Sequence, residues 1–195
     1  MTETLVKTLG TNTTATVAKI VKVWNTANDE IIESGTNWYS EAESIVISLS
    51  EESGYSKEHV AAVIAHLSPR TTWKRNIEGA IALILNGKKG NGIMSSNFNR
   101  ALNALNSNDP IATLNGPKTK RFALNILGDR NAVTVDVWAM RVALSGIEYK
   151  DSDLGRVGVY DAIENAYRIA AKRFNVDAST MQAVTWVMIR NVRSE

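Results

Sequence analysis

One carboxylate stands apart in the segment "NGPKTKRFALNILGDRNAVTVDVWAMRV", residues 115–142. Asp136 follows a short apolar run and precedes an apolar helix pattern, eighteen residues after Lys118. Upstream, Asn115 and Gly116 are the residue types that accept positive φ, and Pro117 fits the first position of a helix. A turn of that kind points free backbone N–H groups outward at a helix N-terminus, where the helix dipole also favours an anion. Lys118, Lys120 and Arg121 add charge beside it. A DNA phosphate is the natural guest, gripped without regard to base sequence. Asp136 then has two readings. It either caps the next helix, with Val135 and Met140 at the staple positions, or it is the acid of an active site whose turn holds a phosphate.

The elements that would position these groups read as helices nearly throughout. Val17, Ile20, Val21, Trp24 and Ile31 fall on one helical stripe after Thr13 and Thr14, which are cap candidates; Ala42, Ile45, Val46 and Leu49 form a second. Ser56 caps "KEHVAAVIAHL", which Pro69 stops. "TTWKRNIEGAIALIL" is broken by "NGKKGNG", and "SSNFNRALNAL" follows. Asp109 and Pro110 open a very short helix, "DPIATL". Tyr160, Ile163, Tyr167, Ala170, Ala171 and Phe174 keep helical periodicity, as do Met181, Val184, Val187 and Met188. Only "AVTV" looks strand-like, and it is too short for a real sheet. The fold class expected is all-α, with nine or ten helices.

Composition narrows the chemistry. The chain of 195 residues can bury a full core as one helical domain. It has no cysteine, which excludes disulfides, thiolate zinc sites and iron–sulfur clusters. His59 and His66 are the only imidazoles, so no metal and no organic cofactor are expected; His66, on an apolar helix pattern, reads as a core histidine. The longest apolar runs are far too short to span a bilayer, and "MTETLVKTLGTNTT" lacks the layout of a signal peptide. A soluble, cytoplasmic monomer without a membrane partner is expected. Charge is uneven. Residues 70–141 hold 11 Lys and Arg against 4 Asp and Glu, while the rest holds 11 against 16. A basic middle between acidic flanks suits one face to a polyanion, although solvated helix faces alone would also produce it.

The residues also carry a resemblance. "ATLNGPKTKRFALNILG" followed by "VDVWAMRV" resembles the helix-hairpin-helix and catalytic aspartate of the endonuclease III-like DNA glycosylase superfamily, with Gly116, Lys118, Thr119, Gly128, Asp136, Arg141 and Val142 matching. "AAVIAHLSPRTTWKRNIEGAIALI" resembles a second block of that family, with Ser68, Thr71, Thr72 and Asn76 in register. The two blocks cover roughly half of the chain. Leu114 stands where the family has its first hairpin glycine, Trp138 where it has a histidine, and the cluster loop is absent, as in cluster-free members. The "VDVWA" variant is also similar to divergent, mostly phage-encoded relatives linked to hypermodification of thymine.

The resemblance implies two helical lobes with a cleft: one of residues 56–135 with the hairpin at 109–128, the other of 13–55 with 136–195. It implies a DNA base N-glycosylase of a bacterial or phage-infected cell, acting on double-stranded DNA. In that reading Asp136 stabilises the positive charge that builds on the sugar as the N-glycosidic bond breaks. Lys118 is the position from which bifunctional members form a Schiff base. Asn115, Gly116, Thr119, Lys120 and Arg121 would grip the backbone, Arg70 would fill the gap left by a flipped base, and Trp138 would line the base pocket. Each has a plainer explanation: a solvated lysine, an arginine covering a helix end, a tryptophan in the core. The alternatives are exchange of a substituent on a modified thymine, or DNA binding without catalysis.

Overall fold

A computed structural model describes residues 9–191. Nine α-helices and two 3₁₀ turns run through them, with no strand among the described residues. The helices are α1 (Thr13–Trp24), α2 (Asp29–Ser53), α3 (Lys57–Leu67), α4 (Trp73–Asn86), α5 (Ser95–Leu105), α6 (Pro117–Ile126), α7 (Val137–Ala143), α8 (Val159–Phe174) and α9 (Ala178–Asn191); the 3₁₀ turns are Ile111–Thr113 and Asp151–Gly155. The all-α expectation holds. No helix among the described residues is long and apolar enough to cross a membrane.

The boundaries follow the caps. Asn12, rather than Thr13 or Thr14, caps α1: its Oδ1 accepts from Ala15 N at 2.9 Å. The stripe expected to run from Val17 through Ile31 is broken, because Asn28 caps a new helix by accepting from Ile31 N at 2.9 Å. From there α2 continues through both Ser34–Gly35 and the second stripe to Ser53. Ser56 caps α3 as expected; α4 starts later than "TTWKRNIEGAIALIL" suggests, because Thr72 is its cap rather than part of it, and Gly87, left-handed at φ 62°, closes it. "DPIATL" forms only a 3₁₀ turn whose N-cap is Pro110 rather than Asp109; Asp109 Oδ1 accepts from Ala112 N at 3.1 Å from one residue further out.

Two compact units divide the chain, Met1–Tyr39 with Arg130–Glu195, and Ser40–Asp129; the first boundary falls within α2. In the first unit α1 packs on α8, α7 and α9, and α9 packs on α7 and α8. Its core gathers Ile20, Met140, Leu144, Ile163, Tyr167 and Met181, each fully buried. Gly35 lets two backbones meet there. A Cβ on it would lie 2.5 Å from Val184 Cα and 2.6 Å from Val184 N. Alanine favours a helix interior over glycine, yet this collision is with backbone and cannot be relieved by a rotamer. Gly35→Ala should therefore lower stability by about 1–3 kcal/mol or more, read as a lower urea midpoint with an unchanged slope.

The second unit is built around α3. Val60 to Leu67 are all buried, because α4, α5, α6 and the 3₁₀ turn at Ile111–Thr113 all pack on it. A helix covered all round reads as a continuous apolar run, which "VAAVIA" is.

Candidate active site and nucleic-acid interface

Asp136 is the N-cap of α7, with extended backbone at φ −100° and ψ −174°. Its Oδ1 accepts from Trp138 N at 2.9 Å and Ala139 N at 2.8 Å. The capping reading of this residue is thus correct, and Val135 and Met140 are both fully buried in the core, as a staple requires. The second oxygen is engaged elsewhere: Trp186 Nε1, on α9, donates to Oδ2 at 3.1 Å. A carboxylate has about four lone-pair sites, and three donors occupy three of them. Capacity for one more donor or cation is left on a half-buried group.

Aromatic rings gather around this carboxylate. Trp186 meets Trp38 edge to face with centroids 5.9 Å apart, and Trp38 meets Tyr39 at 4.7 Å. Guanidinium groups cover two of the indoles: Arg141 lies 4.6 Å from the Trp138 ring and Arg190 4.6 Å from the Trp186 ring. Tyr39 and Tyr167 are buried phenols close enough to feel the charge of Asp136. Burial first, then that charge, pushes both well above the ordinary range, while hydrogen bonds with Thr134 and Thr185 partly oppose the shift. Both stay neutral and serve as struts. Tyr39 Oη donates to Gln182 Oε1 at 2.8 Å, and Tyr167 Oη to the Ala139 carbonyl of α7 at 3.2 Å.

The segment that delivers Asp136 is the strand-like "AVTV". It has no strand partner; side chains of α8 take the place of one. Tyr160 Oη donates to Val133 O at 2.9 Å and accepts from Val135 N at 3.1 Å. Glu164 Oε1 accepts from Val133 N at 3.2 Å, and Arg168 Nε donates to Asn131 O at 3.0 Å. Arg168 also pairs with Glu164 at 2.8 Å. Three residues spaced four apart on one helix thus satisfy alternate groups of an extended chain. Sequence reasoning missed them, along with Trp38 and Tyr39. The one signal available was Glu164, an acidic residue beside the apolar stripe of α8 that pairs at (i, i+4) with Arg168.

The remaining expected site residues lie in the second unit. Gly116 is the N-cap of α6 and Pro117 its first residue, and no side chain caps the helix. The expectation of positive φ at Asn115 and Gly116 is not met. Gly116 sits at φ −117° and ψ 146°, and Arg70 and Asn175 are the only left-handed non-glycine residues described. The connection enters α6 as extended chain, so it needs no left-handed step. Nor does space require the glycine, since an added Cβ would meet only Thr119 Oγ1, at 3.5 Å. Thr119 Oγ1 donates to Gly116 O at 3.1 Å, Lys118 is half-buried and Lys120 exposed, and Arg121 is half-buried on the same helix.

Arg70 is exposed and left-handed at φ 59°, a conformation costly for a non-glycine residue. The buried Asn97 holds the turn by donating from Nδ2 to Pro69 O at 3.0 Å. Backbone strain thus presents a long cationic side chain at the tip between α3 and α4. His66 is the core histidine expected, 6% exposed and bonded through Nε2 to Thr113 Oγ1 at 2.9 Å.

The described residues are all-α, and in the first unit the Asp136 carboxylate is shared between a helix start and an indole. The chain belongs to the family of unknown function DUF7178, which matches residues 2–193. Comparison with curated proteins and with solved structures finds no match.

Proposed function

We propose that the protein is a DNA base N-glycosylase of the helix-hairpin-helix kind, a monomer that flips a damaged or modified base and hydrolyses its bond to deoxyribose. The observation that carries this reading is Asp136, whose oxygens accept from two backbone N–H groups and the Trp186 indole among Trp38, Trp138 and Trp186. Breaking the N-glycosidic bond sends the electron pair to the base and leaves an oxocarbenium-like sugar. An oriented carboxylate stabilises that cation and accepts a proton from the attacking water, whose oxygen forms the new bond at C1′; that proton then passes by way of solvent to the departing base, which leaves neutral as the carboxylate is restored. Indole faces suit an unstacked base, which costs a few kcal/mol to extrude. The fold expected of this class has two helical lobes and a cleft, and Lys118 would add a lyase step if it attacks the sugar carbon.

Gly116 supports the DNA grip. Its φ is not left-handed and its surroundings leave room for a Cβ; glycine suits the N-cap position it holds, and the missing side chain also leaves the backbone open to a ligand. Gly116→Ala replaces a favoured N-cap residue by a poor one and should cost about 0.5–1.5 kcal/mol of stability, leaving the protein folded, yet weaken duplex DNA binding severalfold in a filter-binding or anisotropy titration. Equal affinity would remove the hairpin from the interface.

Abasic-site formation on a panel of modified-base duplexes tests the activity, with borohydride added to trap any Lys118 Schiff base. Abasic product without trapping would make the enzyme monofunctional. Retained DNA binding with no abasic product on any duplex would redirect the reading to modification of a thymine in place, or to binding alone.

A further inference from the structure

The second unit contains an open recess of about 270 Å³. His66 on α3, Asn99, Arg100 and Asn103 on α5, Thr113 in the 3₁₀ turn and Asn115 before α6 line it. Every lining side chain is polar, one is a cation, and none is a carboxylate. Asn99, Arg100, Asn103 and Asn115 are exposed, and their side chains make no hydrogen bond or ion pair among the described residues. A guanidinium and three amides therefore border one hollow with their donors unspent.

The floor of the recess is set by a fixed relay. Thr113 Oγ1 donates its single proton to Pro110 O at 2.6 Å, so it accepts from His66 Nε2–H at 2.9 Å. That assigns the tautomer and leaves the lone pair on Nδ1. Burial, and then the nearby Arg100 charge, hold the imidazole below its ordinary value of 6.5. At neutral pH the floor carries no charge and Arg100 dominates the field.

We infer that this recess is a phosphoryl-anion site, with Arg100 as the charge partner and the amides of Asn99, Asn103 and Asn115 as donors. Guanidinium with neighbouring amides is the donor set that recognises phosphate. A volume of about 270 Å³ admits a phosphoryl group with its attached sugar. The phosphate could come from a nucleic-acid backbone, since Asn115 belongs to the turn that opens α6, or from a free phosphoester. The inference rests on the recess alone, and its failure would leave the reading of Asp136 untouched.

The protein carries its own reporter. His59 and His66 are its only histidines, so the imidazole region of NMR spectra of the full chain holds just two rings' signals. An anion beside Arg100 offsets the charge that disfavours protonation of His66. With inorganic phosphate, against sodium chloride of equal ionic strength, the His66 titration midpoint should rise toward 6.5 with an apparent Kd on the order of millimolar. His59, bonded to Ser56 Oγ and Ser107 O and outside the recess, supplies the reference ring, whose signals at fixed pH should not respond to phosphate. A response to inorganic phosphate shows that the free phosphoryl anion is sufficient; a response to duplex DNA alone identifies the backbone as the source. Absence of both overturns the assignment. Arg100→Gln, at an exposed and unpartnered position, should weaken the response at least tenfold, and Asn103→Asp, which adds a repelling charge, should do the same. Undiminished affinity in both variants would also overturn it.

Discussion

Under the proposed function, Asp136→Asn is expected to leave a folded protein that still binds DNA but forms little or no abasic product. Asparagine caps helices about as well as aspartate, and its Oδ1 can keep both contacts to Trp138 N and Ala139 N. What changes is the second oxygen. Asparagine puts an N–H₂ donor against the Trp186 N–H donor now bonded at 3.1 Å, and the negative charge is lost. Losing that hydrogen bond should cost about 1 kcal/mol of stability. Losing the charge that opposes the oxocarbenium should slow turnover at least 10²–10³-fold, the scale on which single electrostatic groups act at transition states. The comparison is made by single-turnover strand assay beside thermal unfolding. Turnover within a few-fold of wild type would sink both the glycosylase proposal and this site, and Asp136 would then be a helix cap only.

Glu164→Ala should produce the largest loss of stability outside the apolar core. The Glu164 side chain is 2% exposed; it takes the Val133 N–H and pairs with Arg168, whose own side chain is 30% exposed. Truncation leaves a buried N–H without an acceptor, opens a cavity and strands a guanidinium that water partly solvates. Together these amount to about 2–4 kcal/mol. Glu164→Gln preserves the acceptor for Val133 N and gives up only the charge, so it should lose clearly less. Under the proposed function both variants should also slow product formation, since residues 131–135 lead directly into Asp136, while the grip of the α6 hairpin on DNA is unchanged. Urea unfolding of the two variants checks the order. An alanine variant as stable as wild type would show that α8 does not hold this segment.

The helices were legible for reasons that are local. Ser56, Thr72 and Gly87 mark their ends by chemistry that acts within four residues, and the periodicities of α8 and α9 lie in plain view. Asp136 was legible as a cap for the same reason. The errors also had local causes. Asn28 interrupts an apolar stripe that periodicity alone carries onward. At Asn115 and Gly116, residue type suggested a left-handed turn, while Arg70, which nothing local marks, adopts one.

An all-α chain, most of its helix limits, the basic character of its middle and the carboxylate ahead of α7 are all written locally, because propensity, capping and charge are properties of neighbours along the chain. Tertiary structure alone decided which groups meet that carboxylate. Trp186 lies fifty residues from Asp136, and the clamp from Tyr160, Glu164 and Arg168 reaches back by 25 to 37 residues. It likewise set His66 on Thr113, 47 residues away, beneath three amides and a guanidinium. Hydrogen bonds of that span depend on how helices pack, and packing follows the summed burial of many side chains, which no single spacing in the sequence encodes.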